Sequence, residues 1–157
     1  MKAIGGRRGQ MSVEAAALLP VALTLVALLV QPACVLYTRS VMDAAAGELV
    51  RLASTSRGSD EDLRAYALRR LAAVPEVSVF HVGGSQAWDV VVEGPDDAGH
   101  VTATIEGRVR PLPLLGSVVY ALGRADGQDV VVRAEAALDV RASWVGGSYE
   151  DWVSIWG

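Results

Sequence analysis

Between Ala15 and Thr38 the sequence reads AAALLPVALTLVALLVQPACVLYT, 24 residues without a charge. A helix rises about 1.5 Å per residue, so this run can cross a hydrocarbon core of about 30 Å. Lys2, Arg7 and Arg8 precede it, and Glu14 stands at its entrance. Short cationic flanks stay on the cytoplasmic side, which places everything beyond Arg39 outside. The chain must therefore begin as one long helix in lipid, with any remaining fold at its far end. Glu14 is costly there: a mid-membrane carboxylate costs about 2.5–3.5 kcal/mol, less near the edge. It calls for a counter-charge.

The residues Arg7-Arg8-Gly9-Gln10-Met11-Ser12-Val13-Glu14 then carry a resemblance. A glycine, an uncharged residue, and a glutamate five places after the glycine resemble a class III, type IV prepilin-type signal. The wording RRGQMSVEAAALLPVAL, with Pro20 six residues after Glu14, is similar to TadE-like minor pseudopilins of tight-adherence pili. The resemblance implies cleavage by a membrane-bound prepilin peptidase between Gly9 and Gln10. It divides the chain into a leader (1–9), a transmembrane and assembly helix (10–38) and an extracytoplasmic α+β pilin-like domain (39–157). It also gives Glu14 an assembly role. The freed α-amino group, with an ordinary pKa near 8, is largely protonated at neutral pH and would meet the Glu14 carboxylate of a neighbouring subunit. Major pilins of this type usually carry an aromatic after the glutamate. Here Ala15 follows, which favours a minor subunit. The implied partners are prepilin peptidase, other pilin and pseudopilin subunits and the membrane. The implied location is the bacterial cytoplasmic membrane, N-terminus in, or the pilus or cell surface.

Four other readings fit the same segment less well. An unprocessed single-pass anchor, carrying an ectodomain that binds or scaffolds, explains the apolar run but leaves Gly9 and Glu14 as accidents. A secretory signal needs a shorter apolar region and a small-x-small site. A lipoprotein signal ending at Cys34 lacks an aliphatic residue three places before the cysteine. Twin-arginine export is unsupported by the residues after Arg7-Arg8.

Length allows one soluble domain besides the helix. The net charge is −4, and loss of the leader with Lys2, Arg7 and Arg8 takes it to −7. A chain that acidic is a poor nucleic-acid binder, because displacing counterions requires a basic face. Cys34 is the single cysteine, so no internal disulfide can form; it reads as a small buried hydrophobe rather than an intermolecular bridge.

Helical spacing continues past the membrane edge. Val41, Ala45, Leu49 and Leu52 form a stripe, with Met42 widening it, which predicts one helix from about Ser12 to Ala53. Pro20 and Pro32 each remove a donor from it and Gly47 softens it. Ser59-x-x-Asp62 signals a second helix over Asp60–Ala73, with Leu63, Tyr66, Ala67, Leu71 and Val74 inward and Arg69 and Arg70 at its solvated C-terminal end. Pro75 closes it. Beyond it the period becomes two. Val77–Val82 and Trp88–Glu93 read as a hairpin, Gly94–Gly99 as a turn, and His100–Arg110 and Asp129–Arg141 as long half-buried strands lying side by side. Asp126-Gly127 marks a turn between them. The expected fold is α+β: a long N-terminal transmembrane helix continuing into a small domain, with one antiparallel sheet of about four strands and a second short helix.

Two segments resist a simple reading. Leu114–Leu122 is an apolar excursion that packs on the core or forms an oligomer contact. Trp144, Tyr149, Trp152, Val153 and Trp156 crowd the last residues, as a lid over the core or as a contact surface for another subunit or the membrane interface. No catalytic constellation, phosphate loop or metal-ligand spacing stands out. His81 and His100 are far apart, and Asp96-Asp97 and Asp126–Asp129 are better explained as turn residues than as calcium ligands. A non-enzymatic protein without cofactor or metal is the expectation.

Overall fold

The computed structural model describes residues 6–55, 58–112, 120, 122–140 and 153–154, with the backbone alone for residues 6–11. Among these described residues the elements run in order α1 (Gly6–Thr55), α2 (Asp60–Leu71), β1 (Asp89–Glu93), β2 (His100–Val109), β3 (Arg124–Asp126) and β4 (Asp129–Asp139). The fold is α+β, with one four-stranded antiparallel sheet in the order β1-β2-β4-β3.

The expected helix forms and runs further than its stripe required. α1 has 50 residues and contains both Pro20 and Pro32, which makes a rod of about 75 Å. Its C-terminal half buries Val35, Met42, Ala45, Ala46, Leu49, Val50 and Ala53. Ala45 and Leu49 lie at the centre of the predicted stripe; Val41 and Leu52 fall on its half-buried margins. This face packs on the sheet, where Val101, Ala103, Ile105 and Val109 of β2 and Val130, Val132 and Ala134 of β4 complete the core. A fully buried side chain such as Met42, Leu49 or Ile105 contributes about 1.5–3 kcal/mol by leaving water.

α2 starts where the capping signal placed it. The Asp62 amide donates to Ser59 Oγ and the Ser59 amide donates to Asp62 Oδ2, each at 3.2 Å, a reciprocal capping box. Leu63, Ala67 and Leu71 are buried, and Tyr66 is half-buried. The two long strands lie side by side over their whole length, from His100 opposite Asp139 to Val109 opposite Val130. Their inward residues alternate as expected until Ala136, Leu138 and Val140, which are only half-buried.

Two strand assignments need correction. Val77–Val82 is not a strand and makes no hairpin with β1. The amides of Phe80 and His81 both donate to Val77 O, coiling the segment into a turn. It then touches β2 beyond the end of β1, with the Val82 amide donating to Arg108 O and the Arg110 amide donating to Ser78 O. The fourth strand is β3 instead, which reaches β4 through a two-residue turn at Gly127, whose φ is +62°. Leu114–Val119 and the tail aromatics Trp144, Tyr149, Trp152 and Trp156 lie outside the described residues.

Candidate functional site

The site is the N-terminal part of α1 and the collar where the domain first grips it. Every side chain from Ser12 to Val30 is exposed, 19 residues spanning about 28 Å. That length matches a hydrocarbon core, and α1 is the one helix among the described residues long and apolar enough to cross a membrane. Apolar side chains such as Leu19 and Leu29 are more than 60% exposed. A soluble protein does not leave so large an apolar surface uncovered.

Gly9 and Gln10 lie in the first turns of this helix, five and four residues before Glu14. A backbone in helical hydrogen bonds is a poor protease substrate, so any cut here would need that end unwound or taken before it coils. Glu14 is exposed near the start of the uncovered stretch, two residues after Ser12. Pro20 follows it by under two turns, and the Thr24 hydroxyl donates to Pro20 O at 2.8 Å.

Coverage begins abruptly at Gln31, which is fully buried. Its Nε2 donates to Arg110 O at 3.3 Å, and its Oε1 accepts from the Leu112 amide at 2.9 Å. One amide side chain thus ties the chain leaving β2 to the helix. Thr38 Oγ1 donates to Phe80 O at 3.0 Å, and the Tyr37 hydroxyl donates to Ala73 O at 3.1 Å. Tyr37 also meets the Phe80 ring edge-on at 5.9 Å. Cys34 is a buried free thiol on the same covered face. The collar residues Gln31, Tyr37 and Thr38 were not singled out by sequence reasoning. Their signal was available: three hydrogen-bonding side chains inside an uncharged run need partners, and lipid offers none.

Higher up, Glu48 of α1 accepts from the Tyr66 hydroxyl at 2.7 Å and from Arg70, both on α2. The hydrogen bond from Tyr66, then that from Arg70, hold the Glu48 carboxyl below its ordinary range. Arg69 lies over the Tyr66 ring at 5.9 Å. Arg70, expected on a solvated helix end, therefore clamps the two helices, while keeping half its surface in water.

The histidines stay apart. His81 is buried and stacks on Trp88 with ring centroids 3.7 Å apart. Its Nε2 donates to Gly84 O at 3.1 Å, and Nδ1 has no hydrogen-bond partner among the described residues. Burial pushes its pKa down. His100 is exposed, and its Nδ1 lies 2.6 Å from Asp139 Oδ1; that hydrogen bond pushes its pKa up. Three of the aspartates weighed as calcium ligands, Asp96, Asp126 and Asp129, serve turns and ion pairs. Asp96 Oδ1 accepts from the amides of Ala98 and His100, Asp126 pairs with Arg108, and Asp129 pairs with Arg110.

Comparison with curated proteins and with solved structures gives no match. Comparison with protein families matches residues 9–51, the segment that contains Gly9, Gln10, Glu14, the uncovered stretch and the collar, and that ends inside α1. Over that segment the chain is similar to the family described as TadE-like protein.

Proposed function

We propose that the chain is a minor pseudopilin of a tight-adherence pilus, inserted with its N-terminus in the cytoplasm and cut between Gly9 and Gln10 by prepilin peptidase. It acts as a structural subunit and not as an enzyme. The TadE-like family associates the chain with such pili, and the apolar helix with a membrane anchor. The observation that carries the finer reading is the Ser12–Val30 stretch: a bilayer-length helix that its own domain leaves wholly uncovered, in the segment that matches the family. Such a helix can pass from lipid into a bundle of like helices without any change in the domain. Within that bundle the freed ammonium of one subunit would meet Glu14 of the next and fix their axial register. An ion pair removed from water is tolerable where a lone charge is not.

Intact-mass measurement on membrane-extracted protein tests processing. A pseudopilin lacks Met1–Gly9; a chain that keeps them is a permanently tethered ectodomain, and one that starts at an acylated Cys34 is a lipoprotein. The Glu14→Ala variant tests register. Cleavage should persist while pilus output drops, and undiminished output would remove the pairing role.

A further inference from the structure

The uncharged run and the uncovered helix do not end together. The run extends to Thr38, whereas the domain covers one side of α1 from Gln31 onward. Over these eight residues the helix carries no charge: one side, with Gln31, Cys34, Val35 and Thr38, lies against the domain, and the other faces out. Leu36 is 54% exposed and Tyr37 44%, and Ala33 is exposed beside them. Leu112 is held at the lower end of this stretch by the bond from its amide to Gln31, and it is 37% exposed. Among the described residues, the charges near this end of the domain include Arg39, at 4.0 Å from Asp43, and Arg110, bound by Asp129 at 2.8 and 3.3 Å.

We propose that this base of the domain, formed by Ala33, Leu36, Tyr37 and Leu112, is seated in the headgroup layer of the outer leaflet, so that the bilayer is its partner. The patch is continuous with the membrane-spanning stretch and has no polar break from it. Leu36 comes about 8 Å beyond Gln31 along the axis, and a headgroup layer adds about 5–8 Å to each side of the hydrocarbon core. Tyrosine favours that depth, where its ring is wetted by acyl chains and its hydroxyl keeps a polar partner. Tyr37 has one in Ala73 O. Arg110, whose carbonyl oxygen is bonded to Gln31, then lies within this layer, and Arg39, about 12 Å beyond Gln31 along the axis, lies just outside it. The domain therefore does not swing freely on its anchor. It rests on the membrane at a fixed tilt, and leaving the bilayer requires uncovering the base as well as the helix.

This inference rests on α1 crossing the membrane, and the test separates the two. The full chain carrying Cys34→Ala, with one nitroxide at Leu25→Cys, Leu36→Cys, Leu112→Cys or Ala65→Cys, is reconstituted in vesicles of phosphatidylethanolamine and phosphatidylglycerol. Collision with oxygen and with a water-soluble nickel chelate is then measured. Positions 36 and 112 should collide with nickel several-fold less than position 65 and with oxygen more. Water-like values at 36 and 112 with a lipid-like value at 25 overturn the seated base and leave the anchor standing. A water-like value at 25 overturns the anchor, and the seated base with it. Shielding of 36 and 112 from both reagents, lost when protein is diluted in lipid, overturns the bilayer as occupant in favour of a second copy.

Discussion

At single residues the fold is decided by a few close approaches and a few unmatched polar atoms. Gly107 lies under the Trp88 ring: a Cβ there would come within 2.3 Å of Cζ3. Gly47, about two turns before the C-terminal end of α1, has nothing within 4 Å of the same atom. Gly107→Ala should therefore lose about 1–3 kcal/mol through overpacking. Gly47→Ala should gain about 0.5–1 kcal/mol through helix propensity. Denaturant unfolding of the two variants, followed by far-ultraviolet circular dichroism, checks both signs. The ring that Gly107 admits is stacked on His81, and here pH enters. Because burial lowers the His81 pKa, its contribution to stability is present above the ordinary value of 6.5 and is lost as pH falls through that value toward the folded one. His100 has the opposite sign. Its contribution is full below 6.5 and is lost as pH rises through the raised folded value. Titration by nuclear magnetic resonance should place the His81 midpoint below 6.5 and the His100 midpoint above it. Asp139→Asn should lower the His100 midpoint alone.

At the scale of elements, local signals and long-range pairing contributed differently. α2 depends on its cap, so Ser59→Ala should cost about 1 kcal/mol, read as a lower thermal midpoint, with the Glu48–Arg70 clamp loosened as the helix frays. That helix was legible because Ser59, Asp62 and the Leu63–Ala67–Leu71 spacing all sit within a dozen residues. β2 and β4 were legible for a similar reason: each is long enough for alternation to show against noise. Val77–Val82 has the same β-branched composition, yet its fate is set from outside. Thr38 takes Phe80 O and β2 takes Val82 N and Ser78 O, and these fixed points bend the segment into a turn. β3 shows the converse. Arg124-Ala125-Asp126 has no apolar alternation and is fully exposed; it pairs only because the turn at Gly127 returns the chain to β4. In the candidate site, Gly9, Gln10 and Glu14 were singled out by the resemblance they carry. The collar was not, because the partners of Gln31 lie about 80 residues away at Arg110 and Leu112.

For the whole molecule, the question is whether the rod and the domain depend on each other. They meet at a sharp boundary: no side chain from Ser12 to Val30 is covered, and Gln31, Cys34, Val35 and Thr38 are buried in succession beyond it. Lipid-facing leucines therefore contribute nothing to the domain's core, while the next two turns contribute both packing and the bonds that hold Arg110, Leu112 and Phe80. A chain shortened to begin at Gln31 should stay folded, with a thermal midpoint within a few degrees of the full chain in detergent. A chain shortened to begin at Arg39 should be much weaker. It leaves the Leu112 amide without its acceptor at a cost of about 1–3 kcal/mol, and it also loses the buried Val35 side chain, worth about 1.5–3 kcal/mol. Circular dichroism melts of the two fragments decide the matter. If both melt alike, the domain does not need the collar. If both collapse, the uncovered helix carries more of the fold than its exposure allows.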